Sequence, residues 1–136
     1  MHKAIILLVG CTFLASCSKE AGEGGNSSIR GRLEKDIRVV LSNPGTYQYT
    51  VEAADEDVYI VYGDHVSPDN RVKTNYDGEF EFLYLRPGKY RVYVFSKDTT
   101  GVSGVDPNHM VISQDVEITD KKQVLDLPVF TIYDNN

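Results

Sequence analysis

The sequence predicts an all-β protein folded as a β-sandwich. From Ile29 onward, no stretch of ten or more residues shows the period of a helix. Turn-forming residues recur instead, and short runs of apolar or alternating residues lie between them, which is typical of a sandwich. The turn signals are Asn43-Pro44-Gly45, Asp64, Pro68-Asp69-Asn70, Asp77-Gly78, Pro87-Gly88 and Asp106-Pro107-Asn108.

The turn signals divide the chain into nine predicted strands. The run 58–62, Val-Tyr-Ile-Val-Tyr, is apolar on both faces, so it should be a central strand or one whose outer face meets another surface. Pro128 cannot donate a backbone hydrogen bond, so the last strand should carry a bulge or lie at an edge. The predicted strands are 29–33, 37–41, 47–52, 58–62, 71–74, 79–84, 89–96, 111–118 and 123–133.

The clearest strand unit spans residues 75–95. Asp77-Gly78 and Pro87-Gly88 are turn pairs in which the glycine accepts a positive φ, and an alternating apolar run follows each pair. We therefore predict a β-hairpin with one face turned towards the core. The predicted centre of the core is Phe80, Phe82, Leu85, Tyr90, Val92 and Val94.

The first 16 residues have the architecture of a signal peptide. His2 and Lys3 precede an apolar run of about a dozen residues, which is shorter than the ~20 that span a bilayer as a helix. The sequence Leu-Ala-Ser-Cys at 14–17 resembles the lipobox of bacterial lipoproteins. That resemblance implies cleavage before Cys17 and acylation of this residue. Because two or more acyl chains anchor a protein stably, Cys17 is the predicted lipidation site and membrane tether.

The mature chain would begin at Cys17, with a flexible, lipidated linker at 17–28 and a folded domain at 29–136. The linker is predicted because residues 18–28 are rich in Gly and Ser and lack large apolar side chains. Lys19-Glu20 is similar to the charged signals that direct some lipoproteins to the outer face of the outer membrane. A solvated linker explains the same two residues, so the side of the membrane stays open.

Composition excludes several classes of protein. Removal of 16 residues leaves 120, and the loss of Lys3 changes the formal net charge from −6 to −7. An acidic chain without a basic run argues against nucleic acid as a partner. Cys11 leaves with the signal peptide and Cys17 is consumed by lipid, so no thiol remains for a disulfide or a zinc site.

Two motifs resemble those of the carboxypeptidase regulatory-like domains. They are D-G-x-F-x-F at 77–82 and L-x-P-G-x-Y-x-V-x-V at 85–94. The resemblance implies a prealbumin-like or Ig-like Greek-key sandwich of seven or slightly more strands, usually without catalytic activity and attached to secreted or membrane-bound bacterial proteins. Residues 34–57 depart from the family pattern and are interpreted as an insertion.

Related sandwiches that carry chemistry match this chain poorly. Transthyretin-like hydrolases end in a Tyr-Arg-Gly-Ser type tail, whereas this chain ends Tyr-Asp-Asn-Asn at 133–136. Collagen-adhesin repeats that form a Lys–Asn isopeptide bond place a helper acid where this chain has Val94. Lysine attack on an amide has no evident proton shuttle here, so we expect no internal crosslink.

Isolated polar residues provide no catalytic or metal motif. His65 and His109, the two histidines of the mature chain, lie outside any known nucleophile or zinc pattern. Asp64, Asp69 and Asp77 could converge on calcium, but their spacing is not that of a calcium loop, and turn formation is the better explanation of the same residues. We therefore predict no catalytic residues, no metal and no cofactor.

Tyrosines are the remaining feature that bears on function. Tyr59, Tyr62, Tyr84 and Tyr93 lie on or beside predicted strands, and alternation requires some of them to face outward. Exposed phenol rings suit a sugar or a protein partner, although tyrosine also simply fills amphipathic strand positions.

The sequence therefore predicts a non-enzymatic outer-membrane lipoprotein, held through lipid on Cys17 and acting as a structural or protein-interaction module. The alternative is a glycan-binding surface lipoprotein of an uptake system.

Overall fold

The computed structural model describes residues 20–41, 45–97 and 109–135. These residues form nine strands in two sheets, and none of their segments is a helix long and apolar enough to cross a membrane. Cys17, the signal peptide and the turns at 43–44 and 106–108 lie outside the described residues. The strands are β1 (Glu23–Leu41), β2 (Gly45–Glu52), β3 (Asp57–Tyr62), β4 (Asn70–Lys73), β5 (Glu79–Leu85), β6 (Gly88–Lys97), β7 (His109–Ile118), β8 (Val124–Asp126) and β9 (Phe130–Asn135).

The first sheet is organised around β1, which is long enough to pair with four other strands. Its first half pairs antiparallel with β5 and parallel with β8, so that Arg30 lies between Glu81 and Asp126. Its second half pairs antiparallel with β2 and parallel with β9. Residues 34–57, interpreted from the sequence as an insertion, form the second half of β1, β2 and the connection to β3.

The second sheet has the strand order β4-β3-β6-β7, with every pair antiparallel. β6 pairs with β3 although β4 and β5 separate them in sequence, because the chain crosses to the first sheet at β5 and then returns. This return is a Greek-key connection. The prediction of an all-β Greek-key sandwich is confirmed, with nine strands.

One apolar core fills the space between the two sheets. All six predicted core residues belong to it, and none of them is more than 4% exposed. Val94 is among them, so an apolar side chain occupies the place of the isopeptide helper acid. The core also contains residues that the prediction did not include: Ile29, Leu33, Ala53, Val58, Ile60, Ile118, Leu127, Phe130 and Ile132.

The predicted hairpin across Pro87-Gly88 is wrong. β5 pairs with β1, whereas β6 pairs with β3 and β7, so the bend carries the chain from one sheet to the other. Both strands turn an apolar face to the same core, where the inner faces of the two sheets pack against each other. The positive φ predicted for the two turn glycines is confirmed, at 71° for Gly78 and 151° for Gly88.

The boundaries of the first strand need correction. The predicted linker was to extend to residue 28, but β1 already begins at Glu23. The two strands predicted at 29–33 and 37–41 are parts of this one strand. Ser27 and Ser28 are buried, at 1% and 6% exposure, because they lie at the junction with β8.

The last predicted strand, 123–133, is divided into β8 and β9. Residues 127–129 separate the two, in agreement with the irregularity expected at Pro128. Leu127 donates its backbone hydrogen bond to the carbonyl oxygen of Arg30 at 2.8 Å, and this bond keeps the break attached to β1.

Candidate binding face

The outer face of the second sheet carries a row of aromatic side chains. Side chains alternate along a strand, so the inward Ile60 and Val92 leave Tyr59 of β3 and Tyr93 of β6 on the outer face. Tyr59 and Tyr93 are register partners. Phe95 is two residues further along β6 and is therefore on the same face, 46% exposed.

These three rings form one cluster, which we call the aromatic patch. The rings of Tyr59 and Tyr93 are stacked, with centroids 5.1 Å apart and planes 13° apart. Phe95 contacts both of them edge-on, at 5.5 Å from Tyr59 and 5.6 Å from Tyr93. Partial burial, together with the neighbouring Tyr59, raises the pKa of Tyr93 above its ordinary value. The patch is thus a rigid apolar surface with phenol hydroxyls attached to it.

Polar and apolar residues of neighbouring strands border the aromatic patch. Val111 of β7, 53% exposed, is the register partner of Phe95, and Arg71 of β4 is that of Tyr59. Arg91 precedes Tyr93 on the same face and donates to Asp115 at 2.7 Å. This hydrogen bond holds the pKa of the Asp115 carboxyl below its usual value. A partner on the patch would meet hydrogen-bonding groups at its border.

A depression of about 580 Å³ continues this face beyond the Arg91–Asp115 pair. Its lining combines apolar and charged side chains, among them Val61, His65 and Lys89. His65 is held by Asp69, whose carboxylate oxygen lies 2.7 Å from Nδ1. The depression therefore presents several groups that can donate or accept hydrogen bonds next to the aromatic patch.

The outer face of the first sheet is different in character. Around Arg30 and Arg32 it carries ion pairs, Arg30 with Asp126 and Arg32 with Glu52. Glu81 of β5 lies opposite Arg30 in the register. Exposed pairs of this kind keep a sheet face soluble and contribute little stability. Of the two outer faces, the one with the aromatic patch is the better candidate for binding.

The structure separates the four tyrosines that the sequence singled out. Tyr59 and Tyr93 lie together in the patch, but Tyr84 lies on β5 of the other sheet. Tyr62 is at the end of β3, and its ring contacts that of Tyr90 edge-on at 5.7 Å. Burial and the Glu23 carboxylate raise the pKa of Tyr62 to about 12. Tyr62 therefore packs against the beginning of β1 and is not part of the outer face.

Phe95 was not among the predicted candidates. The signal was present in the sequence, because Arg91, Tyr93 and Phe95 alternate with the core residues of β6. The apolar outer face of the run 58–62 was a second signal. It indicated that the Tyr59 side chain packs against another apolar group, and the structure shows ring contacts with Tyr93 and Phe95.

The isolated polar residues do not come together. His65 follows the end of β3 and His109 begins β7, at opposite ends of the second sheet. Asp64 and Asp69 lie in the loop after β3, whereas Asp77 lies in the turn at the other end of β4. Within the described part of the chain, no group of three or more His, Cys, Asp or Glu side chains is placed to hold a metal ion.

The chain has a distant likeness among solved structures. No family model and no curated protein matches this chain. A solved structure from Pseudomonas aeruginosa, named as a "putative carbohydrate binding protein", is similar over 82% of this chain and 91% of its own. Its identity is 11% and its TM-score 0.44. A likeness at this level does not transfer a ligand from one protein to the other.

Proposed function

We propose that this protein is a lipid-anchored, non-catalytic module of the bacterial outer membrane that binds a partner protein through the aromatic patch. Cys17 supplies the anchor, and the sandwich is a carboxypeptidase regulatory-like domain. The two-sheet architecture supports this assignment. The lipobox at 14–17 remains the support for the anchor.

The observation that carries the binding role is the contrast between the two outer faces. Tyr59, Tyr93 and Phe95 form a contiguous aromatic surface on one sheet, while the part of the other outer face around Arg30 and Arg32 carries ion pairs. Tyr and Phe are enriched in the centres of protein interfaces, where they bury a large area at a small cost in side-chain entropy. A polar border such as Arg91–Asp115 is the usual surrounding of such a centre.

Anchoring is tested by Cys17→Ala. We expect this variant to be released from the membrane fraction, because acyl chains on Cys17 are the proposed means of attachment. The measurement is fractionation after a high-salt wash, with mass spectrometry of the native N-terminus. A variant that still sediments with membranes, or a native N-terminus without acyl groups, contradicts the anchor.

Partner binding is tested with a photocrosslinking residue placed in the living cell. We expect a crosslinker at position 95 to yield a discrete crosslinked protein. Phe95 is the most exposed of the three rings of the aromatic patch, so a partner on the patch should contact it. Position 81 is the matched control, since Glu81 is also an exposed strand residue but belongs to the opposite outer face.

A second substitution ties the crosslink to the patch. In a Tyr93→Ser background, position 95 should lose its crosslink, because the stacked ring that supports this surface is gone. Equal crosslinking at 95 and 81, or a product unaffected by Tyr93→Ser, argues against the patch as an interface.

The depression beside the patch favours glycan binding as a second candidate function. Sugar rings stack on aromatic faces while their hydroxyls take hydrogen bonds from polar side chains, and Lys89 and His65 lie within reach of one site. A glycan array with the unlipidated domain distinguishes the two functions. A reproducible signal that Tyr93→Ser abolishes would favour the glycan, whereas an empty array together with a crosslinked protein favours the protein partner.

A further inference from the structure

The chain is already part of the folded domain a few residues after Cys17. The backbone N–H of Gly22 donates to the Tyr90 hydroxyl at 2.9 Å, and its carbonyl oxygen accepts the N–H of Arg86 at 2.8 Å. Ala21 packs directly on Gly88, where an added Cβ would lie 2.6 Å from that of Ala21. Within the described residues, the sandwich therefore holds the chain from Ala21 onward.

The following residues are fixed as firmly. Glu23 accepts hydrogen bonds from Asn70 at 2.9 Å and from the Tyr62 hydroxyl at 3.3 Å. A Cβ on Gly25 would lie 2.0 Å from the carbonyl oxygen of Leu85, so the backbones are in contact there. The buried Ser27 accepts the N–H of Gln123 at 2.9 Å. Most of the segment expected to be a linker is thus held by the sandwich.

The attachment point is at one end of the sandwich, which we call the tether pole. It comprises the loops 63–69 and 119–123 and the bend 86–87, because β3, β5 and β7 end there and β6 begins there. The register pairs Glu23 with Leu85 and Gly88 with Ile118 at this end. The opposite end carries the turn 75–78. Ten residues of β6 separate the ends, or about 30 Å.

Covalent geometry limits the distance between the tether pole and Cys17. Three residues lie between Cys17 and Ala21, so their α-carbons are four chain steps apart and can be separated by about 14 Å at most in a fully extended chain. A flexible linker up to residue 28 would have allowed roughly three times that reach. The domain therefore has little freedom to turn another side towards the lipid.

The surface of the tether pole has exposed apolar and aromatic side chains. Val66, at the tip of the loop 63–69, is 98% exposed. Leu83 and Tyr84, at the end of β5, are 50% and 68% exposed, and with Lys122 they line a depression of about 480 Å³. Tyr84 has a φ of 60°, a strained value for a residue other than glycine. Tyr and Lys side chains suit the boundary between lipid and water.

We propose that the tether pole lies against the membrane surface, so that Val66, Leu83 and Tyr84 contact the lipid interface and the far end points away from it. This inference rests on the proposed acylation of Cys17. It leaves the aromatic patch, on the side of the sandwich, accessible to a partner.

The test uses fluorophores on single cysteines and quenchers in the lipid. An acylated Cys17 has no free thiol, so a new cysteine would be the labelling site. Val66→Cys at the tether pole and Tyr76→Cys at the far end are matched, since the side chains they replace are 98% and 93% exposed. The acylated variants are placed in phosphatidylethanolamine and phosphatidylglycerol vesicles with doxyl-labelled lipid. We expect the doxyl lipid to lower the fluorescence of the label at position 66 about two-fold, because interfacial groups lie within several ångströms of the acyl chains. The fluorescence of the label at position 76 should not change.

A longer tether tests whether the short distance between Cys17 and the tether pole sets the orientation. A Gly/Ser insertion of about 20 residues after Ser18 gives an average span of roughly 25 Å, so quenching at 66 should fall to the level at 76. Equal quenching at 66 and 76 in protein of confirmed acylated mass, or no effect of the insertion, overturns the proposed orientation. A mass without acyl chains instead refutes the anchor itself, so the two failures are distinguishable.

Discussion

Gly78→Ala is expected to destabilise the domain by about 2–4 kcal/mol, because two penalties combine at this position. The φ of Gly78 is 71°, where an L-residue with a Cβ is strained. The added Cβ would also lie 2.3 Å from the carbonyl oxygen of Leu33. That backbone is held in place, since Leu33 donates to the carbonyl oxygen of Gly78 at 2.8 Å and its own oxygen accepts the N–H of Ala53 at 3.0 Å. The measurement is urea unfolding of the unlipidated domain.

Gly63→Ala is the matched control for backbone strain. Gly63 has a φ of 55°, but an added Cβ would have no heavy atom within 4 Å. Gly63→Ala should therefore lower the free energy of unfolding by the backbone strain alone, about 1–2 kcal/mol. The difference between the two variants measures the clash with Leu33. Equal midpoints for Gly63→Ala and Gly78→Ala would show that the β4–β5 connection moves aside freely, and would refute a tight junction at this turn.

Local patterns in the sequence predicted which residues face the core. Alternation placed Phe80 and Phe82 inward on one strand and Val92 and Val94 inward on the next, and all four are buried. This information is local, because the side chains of a strand alternate whatever strand lies beside it. The glycine turns were predictable for the same reason, since a positive φ depends on the residue itself.

Strand pairing was harder to predict because it depends on distant parts of the chain. A turn such as Pro87-Gly88 permits either a hairpin or a crossing between sheets, and its residues do not distinguish the two. The crossing is favoured because β1 pairs with β5 from more than 50 positions away in sequence, Arg30 with Glu81 for example. The early start of β1 was missed because Gly24, Gly25 and Ser27 have a linker composition. Gly25 and Ser27 are held in the strand by contacts with Leu85 and Gln123.

The candidate site was predictable in part. Outward-facing tyrosines were expected, but Tyr62 and Tyr84 could not be separated from Tyr59 and Tyr93 without knowing the sheet to which each belongs. Phe95 joins the patch because β3 and β6 pair in the register that sets Tyr59 beside Tyr93. A register is a property of two strands together, and neither strand specifies it alone.

Phe130→Ala is expected to destabilise the domain by about 3–5 kcal/mol, the usual cost of removing a buried phenylalanine. The side chain is 1% exposed, and its ring lies 6.0 Å from that of Phe80. Phe130 is also the register partner of Leu33, the first such pair between β1 and β9. Its loss would leave a cavity at the point where the last strand rejoins the sheet.

Val129→Ala is the control for this prediction, because Val129 is the preceding residue in the chain but is 48% exposed. We expect its free energy of unfolding to stay within about 0.5 kcal/mol of the unmodified domain, as for most surface substitutions. Urea unfolding with a constant slope against denaturant would assign the difference to stability and not to a changed unfolded state. Similar midpoints for the two variants would mean that β9 does not close the core, and that the sandwich is held by β1 to β8 without it.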